Sequence, residues 1–139
     1  MKKYISTYMA LMLLQLASNS VLANHHAVKI ANKDSIGNYL TDTKGMALYC
    51  FKKDGMGKSV CDGGCLEKWP IYYRESIAAS PGLDSNDFGF ITRDDGQKHT
   101  TFRGYPLYYY FKDKAAGDTA GQKVKDIWFV IDPANFPSK

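Results

Sequence analysis

The sequence lacks the short motifs that mark common catalytic sites. It has no Gly-x-Ser-x-Gly elbow, no phosphate-binding loop, no His-Glu-x-x-His pair and no paired Cys-x-x-Cys zinc set. His99 beside Asp94 and Asp95 invites a general-base interpretation. A single histidine next to a turn is, however, usually an exposed strand residue, which is how we interpret it. We therefore favour a non-catalytic protein and assign no catalytic residue.

Long apolar runs are also absent. The segment from Ala10 to Ala17 is too short to span a bilayer as a helix. It follows Lys2 and Lys3 and precedes Val21-Leu22-Ala23, an order typical of a secretory signal peptide over residues 1–23. Because the residue directly after the cleavage site is Asn24 and not a cysteine, we expect a periplasmic or secreted protein that is not lipid-anchored. The alternative is an uncleaved amphipathic anchor.

The remaining chain has little net charge. Of 18 Lys and Arg only Lys2 and Lys3 fall in the leader, so 16 basic and 14 acidic residues remain, a balance of +2. The basic residues alternate with acidic ones in loops, unlike the basic stripe of a nucleic-acid-binding protein. We expect no nucleic-acid partner and no transmembrane segment after cleavage, and predict one domain over residues 24–139 with an unknown envelope or extracellular partner.

The chain contains two copies of one pattern, 59 residues apart. Such a spacing without gaps indicates a duplicated structural unit. The first copy covers about 27–74 and the second about 86–133, joined by loop 75–85. The identical pairs are Gly37 and Gly96, Thr41 and Thr100, Gly45 and Gly104, Leu48 and Leu107, Tyr49 and Tyr108, Lys53 and Lys112, Asp54 and Asp113, and Trp69 and Trp128.

Each copy predicts a three-stranded meander, a loop of about fifteen residues and a returning strand. Aromatic residues are abundant and suit strands, and Asp95-Gly96 is a hairpin turn signal. No segment keeps an apolar period of 3.6, so helix should be scarce, at most a turn or two near 63–68. The predicted fold is all-β, with two homologous four-stranded antiparallel units packed as a sandwich or barrel-like sheet. The predicted strands are 27–33, 38–42, 46–51, 69–74, 88–93, 97–103, 106–111 and 127–131.

The two copies share the pattern Tyr-x-(Phe/Trp/Tyr)-x-x-Asp at 49–54 and 108–113. Further features are Cys61-x-x-x-Cys65 before Trp69-Pro70, and Gly104-Tyr105-Pro106-Leu107-Tyr108. In these motifs, which extend over nearly the whole mature chain, the sequence resembles the bacterial family of secreted repeats of unknown function, predicted lipoproteins that bear this motif. The resemblance implies an exported, duplicated domain and supplies no catalytic residue. Lipid-anchored relatives carry a cysteine at the cleavage site, which this chain lacks.

The shared motif is interpreted mainly as structural. Side chains alternate along a strand, so Tyr49 and Phe51 should share one face, as should Tyr108 and Tyr110. An aspartate just past the strand can accept backbone N–H bonds and hold the long loop. The alternative is a ligand site at the paired aspartates. The residues assigned to this structural signature are Tyr49, Phe51, Asp54, Trp69, Tyr108, Tyr110, Asp113 and Trp128.

Three cysteines in an exported protein leave an odd one. We favour a disulfide between Cys61 and Cys65, because the intervening Asp-Gly-Gly encourages the turn that this spacing needs. Cys50 is then a free thiol in a strand, most simply a small buried hydrophobe. The alternatives are an intermolecular disulfide or a redox relay with the nearby pair.

Two other features leave alternatives open. Cleavage after residue 23 would expose Asn24-His25-His26, whose amine, amides and imidazole can bind Cu(II) or Ni(II). An aromatic carbohydrate platform would require Tyr72, Tyr73, Tyr105 and Tyr109 to be exposed and coplanar. We favour an exported, non-catalytic binding or envelope-associated module of unknown ligand, with no cofactor. The runner-up is a periplasmic redox or copper-handling protein that uses the three cysteines and the histidine pair.

Overall fold

The computed structural model describes residues 28–137. The regular secondary structure of this part of the chain is mostly strand, with little helix, as predicted. A five-residue helix and two 3₁₀ turns, Ser85–Asp87 and Val124–Asp126, accompany the strands. In chain order the elements are β1 Lys29–Lys33, β2 Gly37–Thr41, β3 Tyr49–Phe51, α1 Gly64–Lys68, β4 Phe88–Thr92, β5 Lys98–Phe102, β6 Tyr105–Pro106 and β7 Trp128–Val130.

The strands form three small antiparallel sheets: β1 with β2, β4 with β5 and β6, and β3 with β7. The hairpins β1–β2 and β4–β5 occupy equivalent places in the two copies, which confirms two repeat-like halves. Gly37 at the first hairpin turn has a φ of 88°. That left-handed conformation costs glycine little, so the glycine fixes the turn.

The third sheet joins the two copies. β3 belongs to the first copy and β7 to the second, and Phe51 pairs with Trp128 across them. The equivalent segment of the first copy lies beside the second copy's Tyr108 in the same antiparallel sense, through the bridge from Ile71. The returning segment of each copy therefore pairs with the other copy and not with its own.

The prediction of a returning strand at 69–74 was wrong. The two predicted four-stranded units do not form as such either, because the strands lie in three sheets and β3 pairs with β7 of the other copy. By the 59-residue offset Pro70 takes the place that Phe129 has in β7. Proline has no N–H to give to a ladder, so strand pairing there shrinks to a single bridge. The carbonyl of Pro70 still accepts the N–H of Tyr109, at 2.8 Å, and the segment keeps its position beside the second copy.

Tyr49 and Tyr108 meet at the centre of the molecule. Each donates its backbone N–H to the other's carbonyl, at 2.8 and 3.0 Å. The two residues are equivalent by the repeat, and their antiparallel bridge places an approximate twofold axis between them.

Two apolar clusters form the core, and both combine residues from the two copies. The first consists of Tyr39, Ala47, Tyr49, Cys61, Trp69, Tyr108, Tyr110 and Trp128. The second consists of Val28, Leu40, Leu48, Tyr72, Phe102, Leu107 and Ile131. Since burial of apolar surface is the main stabilising contribution in folding, each copy depends on the other for its interior.

Candidate functional site

The tyrosine and aspartate of the repeated motif are hydrogen-bonded across the two copies. Tyr49 donates its hydroxyl to Asp113, and Tyr108 donates its hydroxyl to Asp54, each at 2.6 Å. Burial, followed by the hydrogen bond to aspartate, raises the pKa of both tyrosines, so both hydroxyls keep their protons. The motif is therefore a reciprocal clasp between copies.

The second carboxylate oxygen of each aspartate holds a loop, as expected from sequence. Asp54 accepts the N–H of Val60 at 2.7 Å, and Asp113 accepts the N–H of Ala120 at 2.9 Å. Burial raises the pKa of Asp54, against the opposing effect of its hydrogen bonds and of nearby Arg93. Both aspartates are buried, and their bonding within the protein favours the structural interpretation over a ligand site.

A buried polar network extends the Asp54 side of the clasp. Arg93 donates to the hydroxyl of Ser59, which lies 2.6 Å from that of Tyr108, and also to the carbonyl of Cys61. Asp95 forms an ion pair with this guanidinium at 3.1 Å. Asp113 has no equivalent arginine network among the described residues. By the 59-residue offset, the residue equivalent to Arg93 is Asp34, which carries the opposite charge.

The interpretation of His99 as an exposed strand residue was wrong. The residue is fully buried, because its strand β5 lies in the middle of the three-stranded sheet. Its Nε2 donates to the carbonyl of Leu107 at 2.6 Å, and its Nδ1 lies 3.3 Å from a guanidinium nitrogen of Arg93. Burial lowers the pKa of His99 to about 4. The ring is neutral and its nitrogens are used internally, an arrangement that suits packing.

The four aromatic residues at the centre form one continuous stack, in the order Phe51, Trp128, Trp69, Tyr110. The two tryptophans lie at the middle with ring centroids 3.8 Å apart and planes 3° apart. The outer rings stack on them, with centroid distances of 4.1 Å on both sides. Both faces of each tryptophan are thus covered by other rings.

An open groove runs past this stack, and we call it the axial groove. It has a volume of about 390 Å³. Three exposed lysines belong to its lining, which contains no aspartate or glutamate. The full lining is Phe51, Gly64, Cys65, Lys68, Trp69, Tyr110, Phe111, Lys112, Val124, Lys125, Ile127 and Trp128. The axial groove therefore combines an aromatic wall with basic side chains.

Sequence reasoning singled out the four stacked aromatic residues only as structural residues, predicted no groove beside them and missed its lysines. Lys112 lies inside the repeated motif and Lys53 is its equivalent, yet only Lys112 reaches the groove. The other two, Lys68 and Lys125, come from α1 and from the turn that replaces α1 in the second copy. No repeat signal marks either of them.

The predicted disulfide between Cys61 and Cys65 is present, with its Cα atoms 5.4 Å apart. Cys61 is buried in the first core cluster, and Cys65 lines the axial groove. Cys50 is unbonded and half-buried, and it packs against the second core cluster. Burial raises the pKa of the Cys50 thiol to about 12. The thiol and the disulfide thus belong to different clusters.

Cys50 lines a second cleft, of about 470 Å³, together with Asp54, Tyr105, Phe129 and Phe136. The two carboxylate oxygens of Asp54 already accept hydrogen bonds from Tyr108 and Val60. Within residues 28–137 no group of three or more histidine, cysteine or carboxylate side chains is arranged to hold a metal ion. The copper candidates His25 and His26 lie outside the described residues.

The structure does not meet the condition for the carbohydrate platform, which was the third alternative. Tyr72 is buried, and its ring meets that of Tyr109 at 83°. The hydroxyl of Tyr109 donates to buried Asp42 at 2.7 Å. These tyrosines therefore pack and hydrogen-bond within the protein and do not present a flat exposed surface.

These features define a duplicated all-β protein whose two copies complete each other's core. The chain belongs to the family described as secreted repeat of unknown function, whose family model matches residues 31–72 and 89–132. The description supports an exported protein. No curated protein and no solved structure matches the chain. In the described region, helices are all too short to cross a membrane.

Proposed function

We propose that this chain is an exported, non-catalytic binding module and that the axial groove is its ligand site. The observation that carries the proposal is that the buried polar side chains have partners within the protein, whereas the exposed lysines of the axial groove have no ion-pair partner. Asp54, Asp113, Arg93 and His99 all form hydrogen bonds within the protein. The lysines of the axial groove form no ion pair with any residue in 28–137.

Shape and composition also support a binding role. Ligand sites are usually concave, mostly apolar and supplied with a few polar groups, in volumes of roughly 300–1,000 Å³. The axial groove meets this description with its aromatic wall, the half-exposed ring of Phe111 and the lysine side chains. In the same proposal, residues 1–23 are a signal peptide, residues 24–139 form one β domain, and the mature protein works in the periplasm or outside the cell without a lipid anchor.

Native mass spectrometry of the mature protein recovered from its own compartment tests this function. We expect an added mass from a bound small molecule. The change Phe111→Ser should remove that mass, because Phe111 is 40% exposed and lines the groove. Phe90→Ser is the matched control, since Phe90 is 55% exposed and lies outside the groove lining. An added mass that survives Phe111→Ser would show that the groove is not the site.

The redox alternative predicts a different result. A relay requires Cys50 to exchange with the disulfide, although these groups pack against separate core clusters. Thiol counting on the purified protein, with and without reductant, distinguishes the two functions. A binding module should show one slowly reacting thiol and a disulfide that stays oxidised, whereas a relay should show cysteines that interchange.

A further inference from the structure

We infer that the ligand of the axial groove is a small organic anion with a planar, apolar body. This inference rests on the proposed function and adds the chemical class of the ligand to it. The supporting observations are the charge of the groove lining, the orientation of the tryptophans and the apolar walls.

The groove is electropositive at its rim. Lys68, Lys112 and Lys125 are exposed, and no carboxylate is part of the lining. Glu67 and Asp126 are adjacent in sequence to two of these lysines but do not line the groove. The three ammonium groups have no ion-pair partner among residues 28–137, and a groove lined by charge of one sign raises the local concentration of the opposite ion.

The tryptophans add to this positive character. Each has both ring faces covered in the stack, so each can present only its edge to the groove. Ring edges carry the positive end of the aromatic quadrupole. Neither indole N–H of Trp69 or Trp128 has an acceptor among the described residues. Trp69 is 4% exposed and Trp128 is 3% exposed, so only a small part of each indole can reach the groove.

The apolar walls limit the body of the ligand. The ring of Phe111 and the aliphatic side chains of Val124 and Ile127 line the groove alongside the stack. A volume of about 390 Å³ suits one or two fused rings. A sugar that stacks on tryptophan is disfavoured, because the tryptophan faces are already occupied.

The test uses the two tryptophans of the chain as reporters. The mature protein, labelled with ¹⁵N, is titrated with 1-naphthoate and, separately, with its neutral isostere 1-naphthamide, and the two indole N–H resonances are followed by NMR. We expect 1-naphthoate to shift both resonances saturably, with about tenfold tighter binding than 1-naphthamide at low salt and a smaller difference at high salt.

A matched pair of variants locates the charge. Lys112→Gln should weaken 1-naphthoate binding about two- to fivefold, the range for one exposed ion pair, and leave 1-naphthamide binding unchanged. Lys53→Gln, the equivalent change in the first copy, lies outside the groove lining and should alter neither. If 1-naphthamide binds as tightly as 1-naphthoate, or if the two variants behave alike, the anion preference is wrong and the binding function stands. If neither probe shifts either resonance, both the ligand class and the groove as a site are wrong.

Discussion

The reciprocal clasp predicts a measurable coupling between residues 64 positions apart. Tyr49→Phe removes the hydroxyl that donates to Asp113 and accepts the N–H of Gly121 at 3.1 Å. A hydrogen bond to a charged group contributes about 1.5–3 kcal/mol, and one between neutral groups about 0.5–1.5 kcal/mol. We expect the free energy of unfolding to fall by about 2–4 kcal/mol, which leaves a typical domain folded.

A double-mutant cycle isolates the contact between the copies. Asp113→Asn keeps an acceptor for the N–H of Ala120 but weakens the bond from Tyr49. The coupling between Tyr49→Phe and Asp113→Asn should be about 1–2 kcal/mol, within the range for contacting residues. Urea unfolding measures it, because a loss of 2–4 kcal/mol lowers the midpoint by about 1–2 M at a slope of roughly 2 kcal/mol/M.

The control for the cycle is Tyr73→Phe. The hydroxyl of Tyr73 donates no hydrogen bond to another described residue, so this change should cost less than about 0.5 kcal/mol. Additive effects of Tyr49→Phe and Asp113→Asn, within about 0.3 kcal/mol, would refute the clasp as an energetic link.

Three further predictions follow from buried groups. The pKa of His99 is about 4 in the folded protein and about 6.5 in the unfolded chain, so the unfolded chain binds a proton there first as the pH falls. Lowering the pH from 6.5 to 4 should therefore reduce the free energy of unfolding by about 3 kcal/mol, which urea midpoints measured at several pH values will show. With its pKa raised from 9.0 to about 12, Cys50 should alkylate with iodoacetamide at pH 8 at least a hundredfold more slowly than an ordinary thiol. Gly121→Ala should cost about 1–3 kcal/mol in thermal or urea unfolding, since a Cβ there would lie 2.7 Å from Cε1 of Tyr49.

Each of these predictions has a matched control. His99→Gln should flatten the stability change with pH, and an unchanged slope would contradict the assignment; the raised pKa of Asp54 acts in the opposite sense and is present in both proteins. Alkylation of Cys50 should become fast in denaturant, and fast alkylation of the folded protein would contradict the raised pKa of its thiol. Gly55→Ala, where a Cβ meets no atom within 4 Å, should have little effect, and an equal loss would mean that crowding at Gly121 is not the cause.

The duplication predicted which residues are equivalent but not which residues are partners. Tyr49 and Asp54 lie in one motif, yet each bonds to the motif of the other copy. The 59-residue spacing of the repeat is the same whether a strand pairs within its own copy or with the other copy, so the spacing cannot distinguish the two arrangements. The loop-holding role of Asp54 was predictable, because a carboxylate just past a strand reaches the next backbone N–H groups.

The basic side of the axial groove was not predictable for a different reason. Lys68, Lys112 and Lys125 come from three separate segments, and each alone has the pattern of an ordinary exposed lysine. Only the three-dimensional arrangement brings them beside the aromatic stack. The burial of His99 was not predicted, because the sequence near a turn does not reveal that its strand is the central one of a sheet.

The exchange of returning segments has a consequence for chain connectivity. The contacts at the centre, from the Tyr49–Tyr108 bridge to the paired tryptophans, do not require that loop 75–85 be continuous. Two separate chains of one copy each could make the same contacts as a symmetric homodimer, with the aromatic stack on the dimer axis. Fusion of the copies into one chain lets each half diverge. The disulfide is found in the first copy alone, and Arg93 and His99 are found only in the second.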